Sequence, residues 1–136
     1  MLDIVKQHKS WTENEIEACL NTIVYAFNVL HIPRKTSIEL KFEKKSSQWS
    51  GLTLQNSLKK YEIRLFHSSD IYDMIATVLH EMVHIKQFRL GELGYSPVLT
   101  WCDGTRENDV KYRDQPWEKE AFKLEKKLSK KLLTKA

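Results

Sequence analysis

The sequence predicts an α+β domain, and three observations carry that expectation. Apolar residues recur at helical spacing near both ends and in the middle of the chain. Between the first and the central helix they alternate instead with polar residues. Capping and breaking residues stand where these patterns start and stop. A chain of 136 residues has the length of one ordinary domain, so residues 1–136 are read as a single unit able to bury a core. Its 41% hydrophobic and 29% charged residues belong to a folded rather than a disordered chain.

The N-terminal helix should begin at Thr12, which forms a T-x-x-E capping box with Glu15 and so satisfies free backbone donors at the helix start. Ile16, Leu20, Ile23, Phe27 and Leu30 then mark one face, and Pro33 ends the pattern. In residues 36–44, Ile38, Leu40 and Phe42 alternate with charged neighbours, the signature of a strand with one buried face. A second strand is expected around Trp49 to Gln55, and a third through Tyr61, Ile63 and Leu65. Short polar breaks at 45–48 and 56–59 suggest a small, three-stranded, largely antiparallel meander. The central helix should run from about Asp70 to Leu90, with Ser69 as its cap and Gly91 as its stop. Trp101-Cys102-Asp103-Gly104 reads as the turn of a short hairpin. The C-terminal helix should start near Asp114 or Gln115, with Pro116 in its first turn.

Several function classes are set aside by composition. No run of about 18 apolar residues exists to span a membrane, and the N-terminus lacks the apolar core of a signal peptide. Cys19 and Cys102 are isolated and form no C-x-x-C pair; reduced thiols and a cytoplasmic location are expected. The net charge is +4, with much of the positive charge between Lys123 and Lys135. A solvated helix face explains that run most simply, and contact with nucleic acid or another acidic partner is the alternative.

The chemistry lies in His80-Glu81-Met82-Val83-His84, an H-E-x-x-H motif. Residues i and i+4 share one helix face, so the two imidazoles can reach a single tetrahedral zinc ion. Glu81, about 100° around the helix, flanks the ion and can serve as general base toward a water that the metal activates. The surrounding pattern suits this: Ile71, Met74, Ile75, Val78, Met82 and Ile85 form an apolar side, while His80 and His84 lie opposite with Asp73, Ala76, Thr77 and Gln87. A catalytic zinc keeps three protein ligands and one open position. No histidine follows His84, so the third ligand comes from Glu92, Cys102, Asp103, Glu107, Asp109, Asp114, Glu118, Glu120 or Glu125. On the last helix, Trp117, Ala121, Leu124, Leu128 and Leu132 mark the inward face. Glu118 lies about 70° from its centre and Glu120 about 90° on the other side. Glu118 is therefore preferred, and the small Ala121 three residues on leaves room for a metal-bearing helix; Glu120 remains as alternative ligand or outer partner.

His80-Glu81-Met82-Val83-His84 followed by Pro116-Trp117-Glu118-Lys119-Glu120-Ala121 resembles the gluzincin metallopeptidases, in particular their compact minigluzincin and phage-type members. Their E-x-x-A pattern maps the third zinc ligand to Glu118, and the order of elements is similar over most of the chain. SprT-like metallopeptidases, which use a third histidine, and the metzincins fit less well. The larger gluzincins often carry an aspartate after the ligand glutamate, where this chain has Phe122 after Ala121. The resemblance implies peptide-bond hydrolysis of a peptide or protein substrate, and a sheet edge, here assigned to the strand through Tyr61–Leu65, that binds it in extended form. Tyr95, Tyr112 and His67 are candidates, by location, for the donor that stabilises the oxyanion. Two other readings are a non-catalytic zinc-binding module, closed for example by Cys102, and a nucleic-acid-associated protein using the lysine-rich C-terminus.

Overall fold

The computed structural model describes residues 1–95 and 97–134; Lys135, the last lysine of the basic run, lies outside them. The elements in order are β1 (Leu2–Gln7), α1 (Glu13–Val29), β2 (Ser37–Glu43), β3 (Gly51–Ser57), β4 (Lys60–Phe66), α2 (Ile71–Arg89), β5 (Leu93–Tyr95), β6 (Leu99–Trp101) and α3 (Pro116–Thr134). Among these helices none is long and apolar enough to cross a membrane.

The capping box holds α1 as expected: the Glu15 amide donates to Thr12 Oγ1 and the Thr12 amide to Glu15 Oε1. The helix ends at Val29, ahead of Pro33, because His31 adopts a left-handed conformation (φ 54°) that turns the chain. For α2 the cap is Asp70 rather than Ser69; its Oδ1 accepts from the Tyr72 amide at 2.9 Å.

The sheet departs from the three-stranded antiparallel meander. It has four strands in the order β1-β2-β4-β3; β1–β2 and β2–β4 pair in parallel and β3–β4 antiparallel. Burial explains the order. Tyr61, Ile63 and Leu65 of β4 are all within 2% of full burial, which suits a strand flanked on both edges. β3 is only partly covered and takes the edge. The segment 44–50 therefore carries the chain from β2 past the end of β4, where the Phe66 amide donates to the Ser50 carbonyl and the His67 amide to the Glu43 carbonyl. β1 has no alternating pattern, and its Ile4 and Val5 are exposed, so periodicity gave no sign of it. The strand through Tyr61–Leu65 is thus interior, and the free edge beside it belongs to β3.

The core lies between one face of this sheet and the helices α1 and α2, built from Ile23, Ala26, Leu40, Phe42, Ile63, Leu79 and Met82. The other face of the sheet carries Lys41, Glu62 and Arg64 as an ion cluster. α3 packs on α2. The short pair β5–β6 follows α2, and Trp101–Gly104 forms a turn after β6, closed by a 2.9 Å bond from the Gly104 amide to the Trp101 carbonyl.

Candidate metal centre

The histidine-bearing part of the polar stripe of α2 is buried, whereas Asp73 near the helix start is exposed. Every residue from Val78 to Ile85 is buried, including His80, Glu81 and His84, because α1 and the sheet cover one side of the helix and α3 the other. Trp117 (1% exposed) and Ala121 (0%) anchor α3 against α2, and Glu118 projects between them.

Three donors meet there. Glu118 Oε1 lies 2.9 Å from His80 Nε2 and 3.3 Å from His84 Nε2. One ligand atom from each of His80, His84 and Glu118 falls within 4.8 Å of the others, so this buried group can hold a metal ion. Donors on a tetrahedral zinc at about 2.0–2.1 Å stand roughly 3.3 Å apart, so the set fits such an ion with small adjustment. Imidazole nitrogen with carboxylate oxygen is also a donor set that suits zinc. Among the described residues the group does not include Cys102, which is exposed on the turn after β6.

The imidazoles are held from behind through their other nitrogens, as metal-ligating histidines usually are. His80 Nδ1 donates to Glu125 Oε1 at 2.9 Å, and the Phe122 ring meets the His80 ring edge-on at 4.6 Å. Phe122 lies one turn after Glu118 on α3, and Glu125 reaches the histidine from the next turn. His84 Nδ1 contacts Gln87 Oε1 at 2.8 Å. Gln87 Nε2 donates to the Trp117 carbonyl and to Glu120 Oε1, both acceptors only, so Gln87 Oε1 must accept and His84 Nδ1 must carry the proton. That leaves Nε2 as the nitrogen turned toward Glu118. Glu120 contacts Gln87 and Lys86 and is not one of the three converging groups.

Charge couples the group. Burial would lower the His80 pKa, but its hydrogen bonds to Glu118 and Glu125 carry it up to about 10. Burial would raise Glu118, yet its bonds to His80 and His84 hold it down to about 2. His84 is raised against its burial by Glu118, and burial raises Glu81. Tyr112 Oη donates to Glu118 Oε1 at 3.1 Å, and burial beside that carboxylate raises its pKa.

Glu81 and the three donors border a cleft of about 820 Å³. Its walls include Trp49, Gly51 and Thr53 on one side and Tyr95, Leu99, Tyr112 and Phe122 on the other. Of the three oxyanion candidates, His67 is engaged by both Glu15 oxygens at 3.1 Å and Tyr95 stacks on Phe88; Tyr112 alone has its donor at the metal-competent group. Comparison with protein-family profiles, curated proteins and solved structures gives no match for this chain.

Gln87, Gly51 and Thr53 were not singled out as site residues from the sequence, and Glu125, one of the candidate third ligands, backs His80 through its outer nitrogen instead. Gln87 lies three residues after His84 and Glu125 seven after Glu118, both same-face spacings, so helical geometry carried a signal for them. Gly51 and Thr53 carried none, since they reach the site only through the fold.

Proposed function

We propose that this protein is a zinc-dependent metallopeptidase of the compact gluzincin kind, with His80, His84 and Glu118 as ligands and Glu81 as general base. The observation that carries the reading is the convergence of two imidazole Nε2 atoms and a carboxylate oxygen within 4.8 Å, beside a buried glutamate on the wall of an open cleft. Three protein donors and an open fourth side are the pattern of a catalytic site, whereas a structural zinc site is closed by four. Zinc bound there would acidify a water and polarise a carbonyl. Glu81 takes the proton from the attacking water and passes it to the leaving amine. Its raised pKa, caused by burial, brings it toward the range where a base works near neutrality. Tyr112 is the donor best placed to turn toward the carbonyl oxygen.

The substrate shape that fits is an extended peptide. Because the Phe66 amide bonds the Ser50 carbonyl, Ser50, Leu52 and Leu54 point their backbone groups at β4. The alternate residues Gly51, Thr53 and Gln55 then turn theirs to the free edge, ready to pair with an added strand.

The test is metal content and chelator-sensitive proteolysis of an unstructured substrate. Wild type should hold one zinc and cleave. Glu81→Gln should keep the zinc and lose at least about a thousandfold in kcat. Wild-type rates in Glu81→Gln would remove Glu81 as base, and unchanged zinc in both His80→Ala and His84→Ala would end the metal reading.

A second reading concerns partners. Lys119, Lys123, Lys126, Lys127 and Lys130 are all exposed and fall within about 100° of one another around α3. Such a stripe favours a polyanion such as nucleic acid, and affinity for a DNA duplex that falls steeply with salt is its test.

A further inference from the structure

We propose that the edge strand β3 sets the position of the general base: Thr53 holds one Glu81 oxygen, and Gly51 keeps the space beside the other clear. The inference rests on the metallopeptidase reading and adds two positioning residues to it.

A glutamate has three side-chain torsions, so burial alone leaves its carboxylate several places to go. Thr53 removes that freedom. Its Oγ1 donates to Glu81 Oε1 at 2.6 Å, the short distance of a bond to a charged acceptor, and lies 3.3 Å from the Glu81 carbonyl. One hydroxyl hydrogen serves one acceptor well, and the shorter contact is the carboxylate. Threonine suits the task because branching at Cβ stiffens its first torsion. The strand behind it is fixed as well, since Thr53 pairs with Ile63, which is fully buried in β4.

Gly51 is two residues earlier and so faces the same way. Its need is for space, not for an unusual backbone. A Cβ there would stand 2.6 Å from Thr77 Cγ2, and 3.1 Å from both Cγ and Oε2 of Glu81. The first distance is a clash, so any side chain forces β3 away from α2 or displaces Thr77 and Glu81. With Oε1 taken by Thr53 and Oε2 kept clear by Gly51, the second oxygen is the one left to receive a proton.

The experiment compares Thr53→Val, nearly isosteric but without the donor, with Thr53→Ser, which restores it. Thr53→Val should lower kcat about 10- to 100-fold, leave KM within about twofold and keep one zinc per chain. Thr53→Ser should recover most of the rate. Gly51→Ala should lose more than Thr53→Val with zinc retained. An independent signal comes from protein carrying 13C-labelled glutamate, prepared without metal. The Glu81 Cδ resonance, assigned by its disappearance in Glu81→Gln, should shift in Thr53→Val and return in Thr53→Ser. A resonance unmoved by Thr53→Val, or a loss of rate that Thr53→Ser fails to rescue, overturns the proposal. If wild type shows no metal-dependent proteolysis, the metallopeptidase reading falls by itself, while the resonance still decides whether Thr53 holds the carboxylate.

Discussion

β3 and β4 are neighbours joined by a tight turn, yet they present opposite chemistry to the same helix. β4 turns Tyr61, Ile63 and Leu65 toward the core, all nearly or fully buried. β3, paired to it residue by residue, turns Gly51 and Thr53 toward α2 and leaves Leu54 39% exposed. On hydrophobic grounds alone β3 is the wrong way round. The contrast teaches that β4 is placed by burial, whereas the inward positions of β3 meet the side chains of Glu81 and Thr77 instead of the core. A strand that gives up its inward apolar positions next to a buried carboxylate marks where the core ends and the cleft begins.

The largest expected effect lies on the core side of that contrast. Ile63→Ala removes a fully buried branched side chain, and such truncations cost about 2–5 kcal/mol. Denaturant unfolding followed by circular dichroism should show a loss in that range, while the zinc content of the folded fraction stays unchanged. A loss below about 1 kcal/mol would mean that β4 is not the central strand burial makes it. On the site side, Glu125→Gln and Gln87→Ala should each weaken the proposed zinc binding about 10- to 100-fold, because both hold an imidazole of the metal-competent group through its outer nitrogen. Competition with a chromophoric chelator measures this. Wild-type affinity in both variants would show that the imidazoles hold their orientation without them.

How much of this was legible beforehand follows the range of the interactions. α1 was readable because its capping box and its apolar spacing are local to one helix. The pairing of His80 with His84 was readable for the same reason, being one turn of α2. Glu118 came within reach through the geometry of a second helix, although the crossing of α2 and α3 had to be supplied by Trp117 and Ala121. The order of the sheet was not readable, because alternation in β2 and β4 says which face is buried and not which strand lies beside which. The meander inferred from short connections failed at that point. The contacts of Gly51 and Thr53 with Glu81 depend on β3 reaching α2, with Thr53 28 residues from Glu81 in sequence, so no local pattern could carry them.

Protons compete with metal at the same atoms, which gives a smaller, graded effect. Against the effect of burial, hydrogen bonds to Glu118 and Glu125 raise the His80 pKa to about 10, so at neutral pH an incoming ion must displace its proton. Lowering the pH adds to that competition and raising it relieves it. Zinc affinity should therefore rise with pH across the neutral range, by about tenfold per unit for each proton displaced. Calorimetric titration in buffers of different ionisation enthalpy counts the protons released, and at least one is expected. None released would mean that His80 is already neutral before the metal arrives.

The smallest effect belongs to the outward face of β4. Glu62 pairs with Lys41 at 3.2 Å and Arg64 at 2.6 Å, and despite burial these cations hold its carboxyl below the usual range. The partners are partly exposed, with 25% and 37% of their side chains open to water, so solvent screens the cluster and its contribution should be about 1 kcal/mol or less. The sign follows from the lowered pKa. Deprotonated Glu62 is favoured by the fold, so its stabilisation is present above about pH 4.5 and disappears as the carboxyl protonates in more acidic solution. Glu62→Gln should cost that amount at pH 7 and progressively less as the pH falls below 4.5, and added salt should shrink the difference. A loss as large as that of Ile63→Ala would show that β4 is held as much by the charges on its open face as by the apolar side chains behind it, and burial would no longer account for its central place.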